Sequence, residues 1–155
     1  MKKIYIKEEI INNYLFNNLI YAGIFLDEES KNLLKNIFKD FVIKNLGDNT
    51  TFICHHMTIS HISKLNDEIK RWCIENYKKE FVLEIESIGF NEKACAVKIN
   101  TDIPTTQNYP HITIAINNET NGKPVDSNSI NSFIKLPNKI KVKGIVDFFY
   151  KKEKA

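Results

Sequence analysis

The chain has 155 residues, 43% hydrophobic and 26% charged, with a formal net charge of +3 at neutral pH. That balance predicts one globular domain over residues 1–155 and excludes a low-complexity chain or a binder driven by bulk positive charge. Cysteines at 54, 73 and 95 have no paired spacing, which excludes a disulfide framework and points to a reducing, cytoplasmic setting.

Met1-Lys2-Lys3 opens like a leader, but Lys7, Glu8 and Glu9 interrupt any apolar core for one, and no run reaches the length of a membrane span. No membrane partner is therefore expected, and the chain is expected to be a monomer. Ile10, Ile11, Tyr14 and Leu15 have helical spacing within residues 7–18. Residues 19–26 are a continuous apolar run and predict a buried strand. Asp27 then caps a helix with Glu28 and Glu29 in its first turn, where the helix dipole favours acids. Its apolar stripe is Leu33, Leu34, Ile37, Phe38, Phe41 and Val42, and Gly47 ends it.

A strand over 52–60 follows. A second helix starts near Ser63 or Asn66 and buries Leu65, Ile69, Trp72, Cys73 and Tyr77. Residues 81–90 and 94–99 form a hairpin around Asn91-Glu92-Lys93, with a bulge near Ser87-Ile88. Residues 100–110 are a polar loop with two prolines, leading into a strand over 111–117. A turn region ends at Asp126 or Ser127, which caps a short helix that turns Ile130, Phe133 and Ile134 inward and stops at Pro137. Lys139–Tyr150 is the last strand, and residues 151–155 are a solvated tail.

One pattern occurs twice: His56-Met57-Thr58-Ile59 and His111-Ile112-Thr113-Ile114. Side chains alternate along a strand, so each His shares a face with the Thr two residues on, and the intervening apolar residues face the core. Imidazole changes charge near neutral pH, so one ring can accept a proton while its partner donates one. The hydroxyls can hold the oxygens of a phosphate. The candidate catalytic residues are thus His56, Thr58, His111 and Thr113. The bland alternative is two half-exposed strands that merely happen to carry these residues.

Other residues draw weaker readings. His55 alternates with His56 and so points to the opposite face, as a packed or locally bonded side chain; His61 is structural by the same logic. A metal site on Cys54, His56 and His61 matches no zinc spacing, so no metal or other cofactor is expected. Nothing in the sequence activates Cys54 as a nucleophile. Tyr109, just before Pro110-His111, can stack on a base, and Lys123 and the Ser127 cap can hold a phosphate. These three are the candidate substrate-binding residues.

The paired motif resembles the signature of the two-histidine (2H) phosphoesterase superfamily. The Tyr21–Leu26 strand running into an acidic-capped helix and the Cys54-His55-His56-Met57-Thr58-Ile59 form resemble most the cyclic phosphodiesterase domain of tRNA ligases. The resemblance implies an α+β, bilobal fold: two antiparallel sheets related by a pseudo-two-fold axis, outer helices, and the four motif side chains facing one another across a central cleft. It also implies metal-independent hydrolysis of a 2′,3′-cyclic phosphate on an RNA end or nucleotide. Two rivals remain open: hydrolysis of cyclic or 2′-5′-linked oligonucleotide signals, and a non-catalytic RNA- or nucleotide-binding module.

Overall fold

The computed structural model describes residues 18–151. The helix expected over 7–18 and most of the terminal tail lie outside the described residues. Among the described residues seven strands occur: β1 (Leu19–Leu26), β2 (Thr50–Phe52), β3 (His56–His61), β4 (Glu80–Phe90), β5 (Ala94–Asn100), β6 (His111–Asn117) and β7 (Phe133–Tyr150). The two described α-helices are α1 (Glu28–Leu46) and α2 (Asp67–Glu75).

The expected two-sheet, bilobal arrangement is not what the chain forms. All strands belong to one antiparallel sheet in the order β2-β6-β3-β1-β7-β4-β5, and a further β5–β6 pairing closes six of them into a barrel. β2 is the extra strand, hydrogen-bonded to β6. The sequence could not choose between two sheets and one ring, because both use the same alternation along each strand; closure depends on which edges meet.

Register shows how one apolar face holds the ring together. Val146 pairs with Ile24, Ile24 with Met57, Met57 with Ile112, Ile112 with Val97, and Val97 with Ile88. That belt takes one residue from each of the six barrel strands, and all six are buried. The buried stripe of α1 (Leu34, Phe38, Val42, Leu46) joins the same cluster.

Helix α1 begins where expected: Asp27 Oδ1 accepts from Ser30 N at 2.8 Å. Ser30 Oγ in turn accepts from Lys143 N at 2.8 Å, tying the helix start to β7. Gly47 ends it with φ +92°, a conformation that favours glycine. The stripe is narrower than expected, since Leu33 and Ile37 are exposed. Helix α2 is capped by Asn66 and buries Ile69 and Cys73, while Tyr77 lies beyond its end and is exposed. The β4–β5 hairpin forms as expected, with a register shift between Ile85 and Ser87.

Two local expectations are corrected. The helix expected after Asp126 is a 3₁₀ turn, Pro124–Ser129, and Phe133 already belongs to β7. Pro137 does not stop an element: β4 pairs Ile85 with Ile140 and then Ser87 with Lys135, leaving Pro137 in the unpaired bulge, where its missing N–H costs nothing. The strand expected over 52–60 is interrupted: Cys54 has φ +43° and separates β2 from β3.

Candidate active site

The interruption at Cys54 builds the first half of the site. Phe52 pairs with Ala115, and Ile53 N and Cys54 N still bond to the Ile114 and Thr113 carbonyls. Pairing resumes only at Met57 with Ile112. The residue numbers of paired positions sum to 167 before the break and 169 after it, so two residues, Cys54 and His55, are extruded. An even insertion leaves the alternation in phase, so His56 and Thr58 keep the face opposite Met57.

The Met57–Ile112 pair also places the second half. Counting outward along antiparallel strands sets His56 beside Thr113 and Thr58 beside His111. The two motifs are neighbours in one sheet and do not face each other across a cleft. Diagonal positions on such a pair lie about 7–8 Å apart, which leaves room for a phosphate between the imidazoles. All four side chains line one cavity of about 470 Å³, within the range of small-ligand sites. Tyr21, Ile53, His61, Ser63, Lys64, Gln107, Pro124, Val125 and Asn128 complete its wall.

The second motif is tightly buttressed. His111 is buried, and its Nδ1 lies 2.9 Å from the Tyr109 carbonyl. A carbonyl only accepts, so Nδ1 carries the proton and Nε2 of the neutral ring is bare. Thr113 Oγ1 lies 2.9 Å from Ser127 Oγ, both buried. The first motif is held by aromatic contacts. The His56 ring stacks on Tyr21 at 4.7 Å between centroids and on Phe25 at 5.5 Å. Its Nδ1 is 3.0 Å from Nδ1 of His55 and 3.5 Å from the Tyr21 hydroxyl. His55 thus does not project away into the core side, as alternation predicts, because the two-residue bulge swings it beside His56.

Electrostatics favour neutral rings. Burial, then the neighbouring His55 and His111, lower the His56 pKa to about 4. Burial also lowers His111, partly offset by the Tyr109 carbonyl. His55 is lowered by burial and Lys31, against a raising influence from Glu28. An anionic phosphate between the rings would move them back up. Burial raises the Cys54 thiol to about 12, and its Sγ donates to the Ile114 carbonyl, so this thiol is an inert packing group. Among the described residues, no three His, Cys, Asp or Glu side chains gather closely enough to hold a metal ion.

The three expected substrate-binding residues are not in the cavity wall. The Tyr109 hydroxyl donates to the Ser127 carbonyl at 2.6 Å, and its ring lies 4.6 Å from that of His111. Ser127 supports Thr113. Lys123 is exposed, and its backbone N–H bonds to Asp126. Tyr109 and Ser127 flank the second motif and hold it, while Lys123 does not touch its side chains.

Six wall residues outside the predicted site are polar: Tyr21, His61, Ser63, Lys64, Gln107 and Asn128. Gln107 arrives because the 100–110 loop is stitched to β3: Thr105 Oγ1 donates to the Ile59 carbonyl at 2.9 Å and Thr106 Oγ1 to Ser60 Oγ at 2.9 Å. Asn128 Oδ1 is buried without a hydrogen-bond partner. Tyr21 hid in an apolar run; only the register Phe25–His56 shows that it shares the motif face. Its pKa is raised to about 12 by burial, so it remains a phenol.

No protein-family model and no curated protein matches the chain. Among solved structures, it is similar in fold to a crystal structure described as a fungal RNA kinase, with a TM-score of 0.54 and 14% identity. The match covers 87% of this chain and 46% of that one, so the chain corresponds to about half of that protein. No described helix is long and apolar enough to cross a membrane.

Proposed function

We propose that the chain is a phosphodiesterase of the two-histidine type, opening a 2′,3′-cyclic phosphate on an RNA end or nucleotide to a phosphomonoester. The observation that carries this is the Met57–Ile112 pairing, which sets both His-x-Thr motifs around one cavity. Likeness to the fungal RNA kinase supports an RNA-processing context for the fold.

Each group then has a role. His111, with its Nδ1–H held by the Tyr109 carbonyl, takes a proton from water through Nε2. Water attacks phosphorus, and His56 protonates the departing ribose oxygen. The Thr58 and Thr113 hydroxyls donate to the non-bridging oxygens as charge builds. For Thr113 this requires Ser127 to donate to it and its own proton to turn from the Pro124 carbonyl, 3.5 Å away, to the phosphate. Asn128 Oδ1 offers a buried acceptor to a sugar hydroxyl or base amino group. No metal enters the scheme.

The deciding assay offers a cyclic-phosphate oligonucleotide, 2′,3′-cyclic mononucleotides, a 2′-5′ oligoadenylate and cyclic dinucleotides under one salt condition, with products separated by chromatography. Tenfold or greater preference for the cyclic-phosphate end, about 1.4 kcal/mol in transition-state binding, is the expected result. Preference for a cyclic dinucleotide or a 2′-5′ oligomer would replace this substrate with a signal nucleotide. Binding without turnover would leave the binding-module reading.

A further inference from the structure

His55 lies outside the expected quartet and outside the cavity wall, yet its Nδ1 is 3.0 Å from Nδ1 of His56. Its position is fixed. Its carbonyl accepts from Leu26 N at 3.0 Å, and its ring stands edge-on to Phe25 at 5.4 Å and to His56 at 5.2 Å. Two ring nitrogens at this distance must share a proton, so one of them donates.

The direction matters for the chemistry. If His56 donates, its neutral ring leaves Nε2 bare, as His111 does, and the cavity holds two bases and no acid. If His55 donates, neutral His56 carries its proton on Nε2, the nitrogen not engaged by His55 or Tyr21. The geometry points to the second arrangement: His55 is a positioning residue that fixes His56 in the Nε2–H tautomer and relays the proton that makes it the general acid. This deepens the phosphodiesterase reading and rests on it for the catalytic half.

The relay balances as follows. The pair enters turnover carrying one extra proton, with both His55 nitrogens protonated. The His56 Nε2–H bond breaks as the ribose oxygen takes that proton. The Nδ1 proton of His55 passes to Nδ1 of His56, and both rings end neutral. His111 ends protonated by the attacking water, and exchange with solvent resets both sides. His55 is only partly buried, unlike His111, so solvent can recharge it. The charged and titratable groups around the pair are Lys31 and Glu28 on α1, Tyr21 on β1 and His111 on β6. Lys31 opposes the charged form, Glu28 favours it, and the substrate phosphate adds to the favourable side.

Two measurements test this. Proton–nitrogen correlation NMR in mildly alkaline buffer, without substrate, reads the His56 tautomer. The expected result is Nε2–H in the native protein, a shift toward Nδ1–H in His55→Phe, and recovery in His55→Gln, whose amide can donate. His56 protonated on Nδ1 in the native protein, or unmoved in His55→Phe, overturns the inference whatever the enzyme hydrolyses. The second measurement compares a 2′,3′-cyclic nucleotide with a p-nitrophenyl phosphodiester, whose leaving group needs no acid. His55→Phe should lose on the order of 10²-fold in kcat on the first and less than tenfold on the second. Equal losses would mean a merely structural role. If the native protein cleaves neither ester, the functional reading fails while the NMR result still decides the tautomer.

Discussion

The two His-x-Thr motifs share a sequence and sit side by side in one barrel, yet their surroundings differ in kind. The second lies on an unbroken strand, buried, with His111 tied to a backbone carbonyl and Thr113 to Ser127. The first follows a two-residue bulge, with His56 stacked on Tyr21 and tied to another imidazole. A carbonyl can only accept and forces one tautomer; an imidazole can give or take. On the proposed mechanism, the contrast teaches that a symmetric pair of motifs is divided into an acid and a base by the groups behind them.

The largest effects should come from removing either ring. His56→Ala and His111→Ala should each lower kcat roughly 10²–10⁴-fold, and the double variant should be little worse than either single one. A double variant whose losses multiply would mean that the rings work independently.

Next come the hydroxyls. Thr113→Val removes a charge-assisted bond of about 1.5–3 kcal/mol in the transition state, so kcat/KM should fall roughly 10–100-fold. It also strands the buried Ser127 hydroxyl, at about 1–3 kcal/mol in stability. Thr58→Val should slow turnover similarly while leaving the melting temperature nearly unchanged, because Thr58 is less buried and no buried hydroxyl depends on it. Equal destabilisation by both would erase the contrast between the motifs.

A subtler asymmetry appears with pH. Both motif imidazoles are lowered from 6.5, His56 to about 4. The base must be neutral and the His55–His56 pair must carry its extra proton, so kcat/KM should follow a bell centred on the acidic side of 6.5. The kcat bell should shift to higher pH, because bound phosphate raises both rings. Stability has a matching sign. The unfolded His56 binds a proton near 6.5 and the folded one only near 4, so the unfolded state is favoured as pH falls through that window. Melting temperature should drop between those limits, and a flat profile would refute the buried, neutral His56.

The smallest expected effect is from chelation: extensive EDTA treatment should leave the rate unchanged. Loss of activity, restored by zinc or manganese, would replace the metal-free scheme.

Much of this protein could be read from the sequence because it depends on neighbours along the chain. Alternation showed that His56 shares a face with Thr58, and His111 with Thr113. The Asp27 cap, the Gly47 stop and the β4–β5 hairpin are likewise local, set by side-chain capping, left-handed backbone and turn length. What only the tertiary structure decided is which strand edges meet. Alternation is indifferent to partner, so it could not distinguish two sheets from a closed six-stranded ring, nor place the motifs as neighbours. The same limit misplaced His55: alternation assumes an unbroken strand, and the extrusion of Cys54 and His55 arises from the offset between β2 and β3 along β6. Tyr109, Lys123 and Ser127 were judged by chemistry without position, and the fold places the first and last of them behind the second motif as support. Tyr21 and Asn128 reached the cavity wall through packing, a property of the ring as a whole that no stretch of the chain encodes alone.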